Sequence, residues 1–235
     1  MGRLGVITGL AREADCIGAL PHQPEKPLVR CAGGDSKRAE EAARSLVAEG
    51  CIGLVSFGIA GGLRPTLVPG MLVVARSVIG PNRSRFHCDP AWRNRLMAVL
   101  KAEVAVVEWD IVGGDRPILS STEKRRLHQR SGAAAVDMES HAVAQIAAEL
   151  GIPFLAVRAI SDPVDRDIPA WVPDLVGADG RPRAWPVIAG LAAHPYHVPA
   201  LIRLGRDSEK AFAALRRVAL TAGPLLQFSA QVLNE

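Results

Sequence analysis

Short apolar runs, most of them closed by glycine or a polar residue, alternate along this chain with segments of helical period. The runs at 3–8, 28–32, 52–57, 71–75, 104–112, 133–136 and 154–160 read as mostly buried strands. Between them the spacing predicts helices over about 11–20, 37–49, 90–102, 123–130 and 140–150. Ser36 is placed to cap the second of these helices, and Ser121 or Thr122 the fourth. In the fifth, Val143, Ile146, Ala147 and Leu150 share one face, and Gly151 and Pro153 close it. Pro21, Pro24 and Pro27 break the chain after the first helix, Pro65–Gly70 reads as a turn, and the polar segment 82–87 reads as a loop. From 163 to 206 the texture changes to a proline-rich, apolar stretch with helices at about 184–193 and 197–205, followed by an amphipathic helix at about 208–220. Strands alternating with helices predict an α/β fold.

Composition narrows that picture. A chain of 235 residues that is 49% hydrophobic can fill one core, so a single domain spanning 1–235 is expected. Aromatic residues make up only 4%, and a core of Ala, Val, Leu and Ile suits helices laid on a sheet. The net charge of +4 can attract an anionic substrate or a membrane surface. No basic block is interleaved with aromatics, so nucleic acid is not an expected partner. Cys16, Cys31, Cys51 and Cys88 are too widely spaced for a zinc site or a disulfide framework and read as reduced core thiols, so no metal is expected. With no leader-like start and no run of about 18 apolar residues, the expected location is the cytoplasm.

The candidate chemistry sits where apolar runs end. One run closes on Asp137–Met138–Glu139 and the next on Ser161–Asp162, and α/β folds place ligands at the carboxyl ends of strands. The helix between them makes a crossover, which predicts parallel neighbouring strands and puts Glu139 and Asp162 at one sheet edge. Gly58, Gly61 and Gly62 let backbone approach a ligand or, on the plainer reading, make a tight turn or barrel corner. Their spacing is not that of a dinucleotide fingerprint, and no P-loop pattern occurs. The plainer reading has Asp137 capping the helix, Glu139 and Glu13 complementing helix dipoles, and Asp162 starting a turn before Pro163. His87, alone in a loop, reads as incidental.

Five segments, in order, resemble the purine nucleoside phosphorylase and uridine phosphorylase superfamily: Gly9–Glu13, Val55–Leu63 with Pro69–Gly70, Gly114–Asp115, Val136–Glu139 and Val157–Asp162. The likeness is to its methylthioadenosine/S-adenosylhomocysteine nucleosidase branch and, closer still, to its hopanoid-associated phosphorylases. The resemblance implies a three-layer αβα sandwich around a mixed, partly closed sheet, and cleavage of an N-ribosidic bond. By position, Glu139 would hold the ribose hydroxyls, Met138 would lie beneath the sugar, Asp162 would act on the purine and Glu13 would orient the attacking water. Asp137, Gly61 and Ile118 join the implied substrate-binding set. The family departures are Ile59 for a Ser or Thr, Asp137 for a Glu, and Pro117 near a stacking Phe.

Breaking such a bond puts positive character on ribose and negative charge on the departing base, so a proton given to the purine is worth roughly 10²–10⁴-fold. A carboxyl with raised proton affinity can supply it near neutral pH. No cofactor is implied, although phosphate could be a co-substrate, with Arg12, Arg83 or Arg85 as its cations. In the 163–206 insertion, Trp171, Val172, Leu175, Trp185, Ile188, Leu191 and Tyr196 could line an apolar mouth or fill a core or subunit interface. The mouth would suit a nucleoside with a lipid tail such as adenosylhopane, with peripheral membrane contact, and the family implies a homodimer or larger assembly. A methylthioadenosine-type nucleosidase and a non-catalytic nucleoside- or lipid-binding module are the competing expectations.

Overall fold

The computed structural model describes residues 3–18 and 26–229. The chain opens with β1 (Arg3–Thr8), α1 (Ala11–Gly18), β2 (Leu28–Cys31) and α2 (Ser36–Ala48). The long β3 (Cys51–Gly62), β4 (Leu72–Ile79), the short β5 (Arg85–His87), α3 (Pro90–Leu100) and β6 (Val106–Gly113) follow. Then come α4 (Ser121–Ser131), β7 (Ala135–Asp137), α5 (Ser140–Leu150), β8 (Phe154–Asp162), α6 (Ala184–Ala193) and α7 (Val198–Ala222). Pro21, Pro24 and the end of the first predicted helix lie outside the described residues.

The eight strands form one mixed sheet ordered β2-β1-β3-β7-β6-β4-β5, and β8 pairs with both β3 and β4. Strands β3, β8, β4, β6 and β7 therefore close a ring, which is the partly closed sheet expected. Helices α2 and α5 pack together on one face, and α1, α3 and α7 cover the other. The main core is aliphatic, with Leu4, Ile7, Leu54, Leu72, Leu155 and Leu215 among its fully buried members. A smaller cluster of Leu63, Ile79, Val112, Ala133 and Val136 lies under α4 with Ile118 and Leu127. All four cysteines are free thiols, three of them buried and Cys31 partly so. No helix among the described residues is long and apolar enough to cross a membrane.

Several local expectations change. Strands β7 and β8 are not neighbours: β3 stands between them, antiparallel to β7 and parallel to β8. The consecutive strands do not pair because the long β3 serves both, with Gly61 opposite Val136 on one side and Asp162 on the other. The glycine run is consequently strand rather than turn, because its backbone groups are taken up by two partners. Asp35, not Ser36, caps α2 by accepting from the Arg38 N–H at 2.9 Å. Ser120, not Ser121 or Thr122, caps α4 by accepting from the Glu123 N–H at 3.1 Å. Segment 85–87 joins the sheet beside β4. The two helices expected at 197–205 and 208–220 are one, since Gly205 faces open space and nothing forces a break there.

Candidate active site

The glycine just after β1 and two glycines of β3 are seats for carboxylates. A Cβ on Gly9 would lie 2.4 Å from Glu139 Oε1, and one on Gly58 would lie 2.6 Å from Glu13 Oε1. A Cβ on Gly61 would press on Asp162 Oδ2 at 3.1 Å. Three acidic side chains thus rest on backbone that has no side chain of its own. They surround a cleft of about 390 Å³, within the usual range for small-ligand sites.

Glu13, in the first turn of α1, is buried with its carboxylate folded back onto backbone amides. Oε2 accepts from the N–H groups of Gly9 and Leu10, and Oε1 from Ile59, each at 2.8 Å. One lone pair of Oε1 remains for a further donor such as water. Burial pushes its proton affinity above the ordinary carboxylate range, against the opposing pull of those amides and of Arg158. Ile59 therefore contributes through its backbone, a role its side chain does not reveal.

Asp137, Glu139 and Arg158 form the buried floor. Asp137 Oδ2 accepts from Arg158 Nε at 2.5 Å, while Oδ1 accepts from the Ser140 N–H at 3.1 Å and its hydroxyl at 2.7 Å. Asp137 thus secures the start of α5 and neutralises Arg158, which also donates to Ser56 Oγ at 2.6 Å. Glu139 sits 4.0 Å from Arg158 Nη2. Its carboxyl is raised, first by burial and then by the charge on Asp137, with Arg158 opposing. Met138 lines the cleft beside it.

At the end of β8 the Ser161 hydroxyl lies 2.6 Å from Asp162 Oδ1, and Lys124 Nζ donates to Oδ2 at 2.5 Å. Lys124 comes from α4 and has no exposed surface. It also donates to the carbonyls of Pro163 at 3.1 Å and Arg166 at 2.9 Å.

The far wall is apolar: Ile168, Val172, Pro173 and Val176 from the insertion, and Leu204 from α7. The insertion is tied to the body where Ala11 N–H donates to the Gly180 carbonyl at 3.1 Å and Ile168 N–H to the Leu119 carbonyl at 2.9 Å.

The structure gathers Glu13, Gly61, Ile118, Asp137, Met138, Glu139 and Asp162 around this one cleft. Of the described side chains of the predicted mouth, only Val172 lines it. Trp171 packs over Gly190 and donates to His197 Nδ1 at 3.0 Å, while Trp185 is 76% exposed and Tyr196 70%. The side chain of Ile188 lies outside the described residues. None of the three arginines considered for phosphate lines the cleft: Arg12 pairs with Glu209, and Arg83 and Arg85 face a neighbouring depression of about 580 Å³. That depression is larger than the cleft but shares only Arg116, Ile118 and Val136 with it, and it contains none of the three carboxylates. Arg116, the cleft's side-chain cation among the described residues, is paired with Glu123. No group of three or more His, Cys, Asp and Glu residues able to hold a metal occurs among the described residues.

Sequence reasoning missed the roles of Lys124 and Arg158. Arg158 stood inside a recognised segment, but its guanidinium points back into the floor. Lys124 lay in a highly charged helix that reads as solvated; its one signal was a shared face with Leu127 and Ser131.

The sequence matches the phosphorylase superfamily over residues 28–178. A 5′-methylthioadenosine/S-adenosylhomocysteine nucleosidase of Mycobacterium bovis is 29% identical, the aligned part covering 57% of this chain and 69% of the relative. Among solved structures, the Neisseria meningitidis nucleosidase of that name, complexed with methylthio-immucillin-A, superposes with a TM-score of 0.72 at 18% identity, covering 97% of this chain and 99% of the other. Futalosine hydrolase of Helicobacter pylori gives 0.71 at 16% identity, covering 94% and 96%. These two likenesses establish the fold.

Proposed function

Because the chain belongs to the phosphorylase superfamily, we propose that it cleaves the N-ribosidic bond of a 5′-substituted adenosine and releases adenine. The observation that carries this reading is the convergence of Glu13, Glu139 and Asp162 on one cleft, each seated on a glycine. Glu139, as an acceptor facing the cleft, suits two vicinal ribose hydroxyls, with Met138 under the sugar. Asp162 faces the base and gives its proton to N7 as the bond breaks, so that adenine leaves neutral.

Water is the nucleophile in this reading. Glu13 has a free lone pair and a raised proton affinity, which suits a base that aligns and deprotonates water. The cleft has little to hold phosphate, because Arg116 is occupied by Glu123. A hydrolytic role agrees with the names of the nucleosidase and hydrolase relatives.

The apolar wall of Ile168, Val172, Pro173, Val176 and Leu204 supports an apolar 5′-substituent, from a methylthio group up to a long hydrocarbon as in adenosylhopane. The test is adenine release from 5′-methylthioadenosine, adenosylhopane and inosine. Activity on the first two with little on inosine is expected, and Val172→Asp should raise KM more for the longer 5′-chain. Absence of base release from every nucleoside, with binding insensitive to Asp162→Asn, would instead make the protein a non-catalytic binding module.

A further inference from the structure

Behind the cleft wall, against Asp162, lies a buried charge that the proposed chemistry has not used. Lys124 sits mid-face on α4, an otherwise hydrophilic helix, with its ammonium wholly enclosed. Its three donors are all taken: Asp162 Oδ2 at 2.5 Å and the carbonyls of Pro163 and Arg166 at 3.1 and 2.9 Å. A lysine enclosed against a carboxyl is a poor way to gain stability, since apolar residues of similar volume commonly do as well or better. The pair nevertheless stands at the base-facing end of the cleft, beside the small apolar cluster that includes Leu63 and Val136.

We propose that Lys124 is a positioning residue for the departing base, holding Asp162 by one oxygen and supplying the countercharge for the carboxylate left when Asp162 gives up its proton. This rests on the hydrolytic reading above. As the N9–C1′ bond breaks, its electron pair stays with the purine and the Asp162 proton passes to N7. The water oxygen bonds to C1′ and loses a proton to Glu13. Asp162 thereby becomes negative 2.5 Å from a fixed ammonium that has no exposed surface, where such an interaction is stronger than between solvated groups. The same ammonium fixes the carboxylate orientation through Oδ2, while the Ser161 hydroxyl lies beside Oδ1. Lys124 thus acts through Asp162 and matters only when the leaving group needs a proton.

The test compares two 5′-methylthio ribosides, one releasing adenine and the other 4-nitrophenolate, which leaves without protonation. Lys124→Met should lower kcat for adenine release by about 10- to 100-fold, within the range that general acid catalysis spans. It should change 4-nitrophenolate release by less than about threefold, and Lys124→Arg should recover part of the loss. Combined with Asp162→Asn, Lys124→Met should add little, because both changes remove one unit. Equal losses on both leaving groups, or losses that multiply in the double variant, would show that Lys124 only braces the insertion and would overturn the proposal. If Lys124→Met does not fold, Lys124→Arg across the same two substrates gives the same partition. Wild-type protein that releases no adenine would sink the proposed function and this role with it; an active wild type with a uniform Lys124→Met loss sinks this role alone.

Discussion

The two walls of the cleft are built differently. The sheet-side wall consists of strand ends and helix starts in which Glu13, Asp137 and Asp162 are each fixed by two or more donors or neighbours at hydrogen-bonding distance. The insertion side is a succession of short turns and an apolar helix, tied to the body near its start by Lys124 and Asp167 and elsewhere by a few backbone bonds, with Trp185 and Tyr196 largely in solvent. Reaction chemistry tolerates little displacement, so it belongs on the rigid side. Selection of the 5′-substituent needs only apolar surface, which a loosely tied segment can supply and vary.

The strongest way to break this contrast is to disturb a carboxylate seat. Gly58→Ala places a methyl 2.6–2.7 Å from the Glu13 carboxylate, whose end can swing aside but then leaves its amides. The fold should survive while kcat/KM for adenine release falls by about 100-fold, the cost of roughly 1 Å of misplacement. A folded Gly58→Ala protein with unchanged kcat/KM would remove Glu13 from the mechanism.

A smaller effect should appear in stability against pH. Glu13 and Glu139 both bind protons more tightly when folded than their ordinary value of 4.5 implies. A carboxyl raised in this way contributes stability that is present below 4.5 and lost as pH climbs through its higher folded value. Glu139→Gln removes one such group, so its melting temperature relative to wild type should be higher at pH 8 than at pH 5. A difference of about 2–4 °C corresponds to about 1 kcal/mol in a domain of this size. The opposite sign would mean that Glu139 is held as a carboxylate more firmly than its burial suggests.

The smallest effect belongs to the insertion. Trp185→Ala should alter stability by no more than about 0.5 kcal/mol and leave KM for 5′-methylthioadenosine unchanged, because the ring touches neither core nor cleft. A large loss of stability on thermal unfolding would show that α6 is anchored as tightly as the sheet.

Much of the sheet-side wall was legible in the sequence, and the reasons are local. Apolar runs ending in glycine or a carboxylate announced strand ends, and the five ordered segments placed Glu13, Glu139 and Asp162 together. Strand order was not legible, because β3 pairs differently along its length and no residue pattern states which strand lies beside which. Lys124 was hidden because a buried lysine in a charged helix looks like its exposed neighbours until its partner, 38 residues away, is brought to it. The insertion misled for a related reason: tryptophans in an aromatic-poor chain suggest a ligand site, yet Trp171 serves the insertion's own packing.

The most direct test of the account is the time course of adenine release from 5′-methylthioadenosine in phosphate-free buffer and again with added phosphate. Equal rates are predicted, with a free reducing sugar as co-product and a loss of about 10²–10⁴-fold in Glu13→Gln. Release only when phosphate is present, with a sugar 1-phosphate as product, would contradict the assignment of water as nucleophile and of Glu13 as its base.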